Sequence, residues 1–139
     1  MFKLSQKSKD RREGVDPRLI EISDQAIIIT LVDFGIPQDG GMRNASRQNE
    51  LFLDNKSKAD GYKNASQHQL GKALDFYAYV DGKASWEHHH LAMVAVAFLQ
   101  SASMLGYELN CGILWKSIEP KLINSVEYGW DAGHLQLVD

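Results

Sequence analysis

Apolar residues first recur at helical spacing at Leu19, Ile22, Ala26 and Ile29, a stripe that predicts one buried helix face. Asp16-Pro17 stands just before it, a capping side chain followed by a residue whose φ is already helical. Val32 to Met42 is broken by Gly35, Pro37 and Gly40-Gly41 and reads as a short strand or loop leaving that helix. Ser46 to Leu53 reads as a short helix, and residues 54–65, DNKSKADGYKNA, as a polar surface loop. Asp75 to Val80 has strand composition and Asp81-Gly82 supplies a turn. A period of two would set Asp75, Tyr77 and Tyr79 on one face and Phe76, Ala78 and Val80 on the other. The longest amphipathic stretch is Trp86 to Leu105, with Leu91, Val94, Ala95, Phe98, Ala102 and Leu105 as its stripe and Gly106 as its stop. Tyr107 to Trp115 reads as extended, and the closing HLQLVD alternates well enough for a last strand. Helices first, then strands mixed with one long helix, predict an α+β domain around a small, mostly antiparallel sheet.

The length of 139 residues suits one domain with a real core, taken here as a single unit over 1–139. With 44% hydrophobic and 24% charged residues, the composition is that of a soluble globular chain. A net charge of -3 argues against a dedicated nucleic-acid binder. The basic cluster Lys3, Lys7, Lys9, Arg11 and Arg12 is interrupted by Asp10 and reads as a solvated surface segment. The single cysteine, Cys111, excludes an internal disulfide and a Cys-rich zinc site, and reads as a small buried filler. MFKLSQKSKDRREG has no apolar signal core, and the run from Ala26 to Val32 is too short to span a bilayer, so a cytoplasmic, membrane-free protein is expected.

Two segments carry chemistry: Ser66-Gln67-His68-Gln69-Leu70-Gly71-Lys72-Ala73-Leu74-Asp75 and Trp130-Asp131-Ala132-Gly133-His134. A hydrolytic zinc site needs three ligands from imidazole and carboxylate, with a fourth position left for water. His68, Asp75 and His134 can supply them, and Gly71 allows a tight turn between the first two. Asp131, three residues before His134, can be delivered beside a ligand as a general base. Two His and two Asp also serve ordinary surface and core roles in a chain of this size, so the residues alone leave both uses open. The run His88-His89-His90 lies at the start of the long helix, where consecutive side chains diverge and are not expected to share an ion. Trp86, Trp115 and Trp130 are expected in the core or in a pocket wall.

The pattern S-x-H-x-x-G-x-A-x-D, followed near the C-terminus by D-x-x-H, resembles the D-Ala-D-Ala metallopeptidase family of zinc enzymes. That family includes carboxypeptidases and dipeptidases of cell-wall metabolism and phage endolysins acting as L-alanyl-D-glutamate endopeptidases. FKLSQKSKDRREGVDPRL, Val32-Asp33-Phe34-Gly35, Arg43, Gln48, AYVDGKASW and the WKS at 115–117 resemble the small phage members, so the similarity covers nearly the whole chain. The resemblance implies one Zn2+ per chain on His68, Asp75 and His134, with Asp131 as general base and later acid. It implies that Arg43 binds substrate and steadies the oxyanion, and that Ser66 belongs to the surroundings of the ligands or to the substrate wall. The implied fold is the Hedgehog/D-Ala-D-Ala peptidase type.

The implied activity is a zinc-dependent peptidoglycan peptidase of the endolysin kind, cleaving the L-alanyl-D-glutamate bond of the stem peptide. A D-Ala-D-Ala carboxypeptidase or dipeptidase, and a non-catalytic zinc-containing wall-binding module, are the alternatives. A monomer that waits in the host cytoplasm until released to the wall is the matching expectation. Several positions depart from the family pattern. Gln67 stands where Arg is frequent, Gly133 where Pro is common and Leu135 where Phe is common. Residues 110–114 replace a Trp-Gly-Gly-like stretch, and 118–129 look like an insertion.

Overall fold

A computed structural model describes residues 1–113 and 131–139. Trp115, Trp130, the WKS at 115–117 and the apparent insertion at 118–129 lie outside the described residues.

The chain opens with a helix that the charge pattern does not announce, α1 (Gln6–Arg11), capped by Ser5, whose Oγ accepts from the Ser8 amide at 3.1 Å. The next helix, α2 (Pro17–Ile29), begins at Asp16-Pro17 as expected, with Asp16 Oδ1 accepting from the Arg18 amide at 2.9 Å. Lys3, Lys7 and Lys9 of the basic cluster are exposed as expected, but Arg12, between the two helices, is not. It is buried, donating to the Ile20 carbonyl at 3.1 Å and Ser23 Oγ at 2.6 Å and pairing with Asp24 at 2.7 Å. A buried guanidinium is tolerable when its donors are met in this way.

Three short elements follow: strand β1 (Asp33–Gly35), helix α3 (Ala45–Leu53) capped by Asn44, and a 3-10 turn over Gln67–Leu70. The expected strand from Asp75 to Val80 is two strands, β2 (Ala73–Asp75) and β3 (Tyr77–Val80), in two different sheets. Between them stands Phe76, fully buried, whose amide donates to the Gly133 carbonyl at 2.8 Å, one step beyond the pairing of Asp75 with His134. Asp75 therefore does not share a sheet face with Tyr77 and Tyr79.

β1, β3 and β4 (Lys83–Ser85) form one antiparallel sheet in the order β1-β3-β4. β2, β5 (Leu109–Cys111) and β6 (His134–Leu137) form the other, in the order β2-β6-β5, with β6 central. The long helix α4 is His88–Leu105, so Trp86 precedes it, 55% exposed and tilted against Tyr77 at a ring-centroid distance of 5.9 Å. Gly106 ends the helix in the left-handed conformation at φ 80°.

The core lies where α2 and α4 pack together and against the strands. Phe98 of α4 meets Phe34 at 4.8 Å and Phe76 at 5.2 Å between ring centroids, among Ile22, Leu74 and Leu135. Each such aromatic contributes on the order of 1.5–3 kcal/mol by burial. Among the described residues no helix is long and apolar enough to cross a membrane. The architecture is α+β, with two small antiparallel sheets flanked by helices where one sheet was expected.

Candidate metal centre

Ser66 and Gln69 build a reciprocal capping box around the 3-10 turn, and Gly71 closes it at φ 71°, a conformation that favours glycine. This turn presents His68, which is buried. Asp75 ends β2 and stands directly opposite His134 in the antiparallel register with β6. The loop 40–43 ties the two halves together. The Gly40 carbonyl accepts from the Asp75 amide at 2.8 Å, Gly41 accepts from His68 Nδ1 at 2.9 Å, and the Arg43 amide donates to the His68 carbonyl at 3.3 Å. A β-carbon on Gly41 would run into the Arg11 carbonyl, so the end of α1 fixes this loop from behind.

The three expected ligands converge. His68 Nε2 lies 3.2 Å and His134 Nδ1 3.1 Å from Asp75 Oδ1, and these atoms form a cluster able to hold a metal ion. Ligand atoms around a tetrahedral ion with bonds near 2.0 Å stand about 3.3 Å apart, so the spacing fits. The tautomers fit as well. The Gly41 carbonyl can only accept, so His68 carries its proton on Nδ1. His134 Nε2 faces Gln136 Oε1 at 2.9 Å, which places its proton on Nε2. Both lone pairs then point at one carboxylate oxygen, an arrangement that needs positive charge between them: two extra protons or one divalent cation.

The electrostatics favour that charge. Burial pushes the Asp75 carboxyl upward, but His134 and His68 outweigh it and hold it well below the usual carboxylate range. Burial alone would lower the His134 imidazole, yet the Asp75 carboxylate raises it. Asp131 Oδ2 lies 3.8 Å from His134 Nδ1. Its pKa is raised, first by burial and then by the Asp75 charge, which makes it a better proton acceptor.

Arg43 is more tightly held than a free substrate clamp. Nη2 donates to Asp75 Oδ2 at 3.1 Å, Nε to the Asp39 carbonyl at 2.8 Å and Nη1 to Gln48 Oε1 at 3.2 Å. Three of its five donors are used in this way, leaving two for the cleft it lines. Ser66 both caps the His68 turn and lines that cleft. The cleft, about 280 Å³, is lined by His68, Asp75, Asp131 and His134 together with Lys56 to Ala59.

Two glycines account for the Asp131 turn. A β-carbon at Gly112 would collide with the Asp131 carbonyl, and one at Gly133 would come within 2.5 Å of the Phe76 carbonyl. Glycine in place of the family's Pro is thus matched to a close backbone approach. Cys111 is buried, its thiol pushed up to about 12, as suits a filler. The expected divergence of the histidine run is corrected for two members. His89 and His90 lie 4.1 Å apart between ring centroids and share Glu87, because that carboxylate reaches in from outside the helix. Sequence reasoning missed Gln136, although its position two residues after His134 on one strand face was the available signal.

An L-alanyl-D-glutamate peptidase of Escherichia phage T5 is 29% identical over 145 residues, covering 99% of this chain and 98% of that protein. The crystal structure of the Serratia marcescens L-Ala D-Glu endopeptidase ChiX matches with a TM-score of 0.77 and 28% identity, covering 98% of this chain and 90% of that one. The family model for phage L-alanyl-D-glutamate peptidases matches residues 1–138, and the chain belongs to that family.

Proposed function

We propose that this peptidase is a single zinc-dependent catalytic unit over residues 1–139, cutting the bond between L-alanine and D-glutamate in the peptidoglycan stem peptide. The observation that carries the zinc reading is the convergence of two imidazole lone pairs on Asp75 Oδ1, with Asp131 beside them. His68, Asp75 and His134 would hold the ion, and zinc in such a site acidifies a water and polarises the scissile carbonyl.

The remaining work falls to the chain's own residues. Asp131, its carboxylate made more basic by burial, takes the proton of the attacking water and returns it to the leaving D-glutamate amine. Arg43 holds Asp75 Oδ2 and turns its two other N–H groups toward the developing oxyanion. Gln136 keeps the His134 ring in one tautomer. Lys56 and Lys58 also line the cleft and suit a substrate whose D-glutamate carries carboxylates. We further infer that the protein works as a monomer and waits in the host cytoplasm until the membrane opens, an expectation that rests on its resemblance to phage endolysins.

The test is digestion of purified peptidoglycan followed by mass analysis. New amino termini on D-glutamate are expected. Loss of terminal D-alanine instead would point to a carboxypeptidase, and retention of fragments without cleavage to a binding module. Asp131→Asn is expected to keep the metal and lose about 10²- to 10⁴-fold in rate. Equal rates in the variant and the wild type would remove Asp131 from the mechanism.

A further inference from the structure

At the corner between β4 and α4, Glu87 occupies the helix N-cap but makes no side-chain capping hydrogen bond. Its carboxylate turns instead to two imidazoles of the first helical turn. Glu87 Oε2 lies 3.2 Å from His89 Nε2 and 3.5 Å from His90 Nδ1. The three donor atoms all fall within 4.8 Å of one another, as do those of His68, Asp75 and His134. The rings meet at 54°, so their nitrogens approach the carboxylate from two directions, as ligands around one ion do.

We propose that Glu87, His89 and His90 form a second, solvent-accessible site for a transition-metal dication, with Zn2+ as the cation of choice. Two imidazoles and one carboxylate select borderline ions of the zinc, nickel and copper kind over calcium or magnesium, which prefer oxygen donors. Glu87 and His89 keep 64% and 67% of their side-chain surface, so an ion enters without opening the fold. His90, at 22%, is the anchored member, with Nδ1 also 2.7 Å from Ser85 Oγ. The Ser85 hydroxyl competes with the ion for that nitrogen, and the positive end of the α4 dipole opposes a cation. Affinity is therefore expected about tenfold or more below that of the buried centre. Bound metal would tie the N-cap of α4 to its first turn.

The experiment is equilibrium dialysis of metal-free protein against Zn2+, followed by elemental analysis. Wild type is expected to hold two ions per chain. His89→Ala and the more conservative Glu87→Gln should each hold one, and His68→Ala or Asp75→Asn also one. Thermal unfolding gives a second readout. Zn2+ should raise the Tm of His68→Ala but not that of the His68→Ala/His89→Ala double variant. If wild type and His89→Ala hold the same number of ions, or the double variant keeps the ion that His68→Ala holds, the second site does not exist. A wild type that holds a single ion, lost in His68→Ala and kept in His89→Ala, overturns this proposal alone. The reverse pattern supports it and overturns the zinc reading of the buried centre.

Discussion

Replacing Gln136 tests whether the metal centre is organised by its hydrogen-bonded surroundings. The Gln136 side chain accepts from His134 Nε2 at 2.9 Å, and His134 itself is only 6% exposed. Removing the outer partner of a metal-bound imidazole usually costs 10- to 100-fold in affinity, or about 1.4–2.7 kcal/mol. Gln136 is half-buried, so a water can occupy part of the vacated place, which sets the expectation for Gln136→Ala at the lower end, about tenfold. Gln136→Glu replaces a neutral acceptor by an ionised one, roughly twice as strong, and should bind zinc at least as tightly as wild type. Competition against a chromophoric chelator at pH 7 reads both affinities, with near-ultraviolet circular dichroism to check that the three proteins share one fold. An Ala variant within twofold of wild type, or a Glu variant weaker than the Ala variant, would refute the assigned role of Gln136.

Gly133→Ala should destabilise the protein by about 1–3 kcal/mol, because its β-carbon meets the Phe76 carbonyl at 2.5 Å; urea unfolding measures it, and activity should fall with the displaced Asp131 turn. Arg12→Ala should cost about 2 kcal/mol in the same assay, since the Ser23 hydroxyl and the Ile20 carbonyl lose a charged donor inside the fold. Stability should also fall with acid through the cluster of Asp16, Arg18, Lys72 and Asp139. The Arg18 hydrogen bonds, helped by Lys72, hold the Asp16 carboxyl below its ordinary value despite burial, and Asp139 is lowered by the same two cations. A depressed carboxyl contributes fully above its unfolded pKa of about 3.9 and loses that contribution as pH falls below it. The Tm difference between wild type and Asp16→Asn, whose amide still caps α2, should therefore shrink between about pH 5 and pH 2.

His68 and Asp75 could be read as neighbours because a capped turn, a left-handed glycine and a strand beginning all lie within Ser66 to Asp75; that His134 joins them came from the family resemblance, since the residues alone left ordinary uses open. The long helix and the Asp16-Pro17 start were likewise legible from short-range signals. What was not legible depends on partners far along the chain. Period-two alternation cannot say that the chain leaves one sheet for another after Phe76, because the partner strands on either side, β6 and β1, lie far along the chain. Arg12 looked like one more exposed cation, since its acceptors are backbone and hydroxyl groups of α2 that no charge pattern reveals. Arg43 was expected to face substrate, and nothing in its neighbourhood along the chain shows that Asp75 engages it. The helix α1 has no apolar stripe, and only its Ser5 cap could have signalled it.

The pairing of Asp75 with His134 makes two donors a single rung of a ladder. Sliding β6 by one residue would turn His134 to the opposite face and dismantle the site. Metal uptake is therefore a direct gauge of strand alignment. A preparation that folds out of register should retain its helices by circular dichroism and yet come up short of zinc.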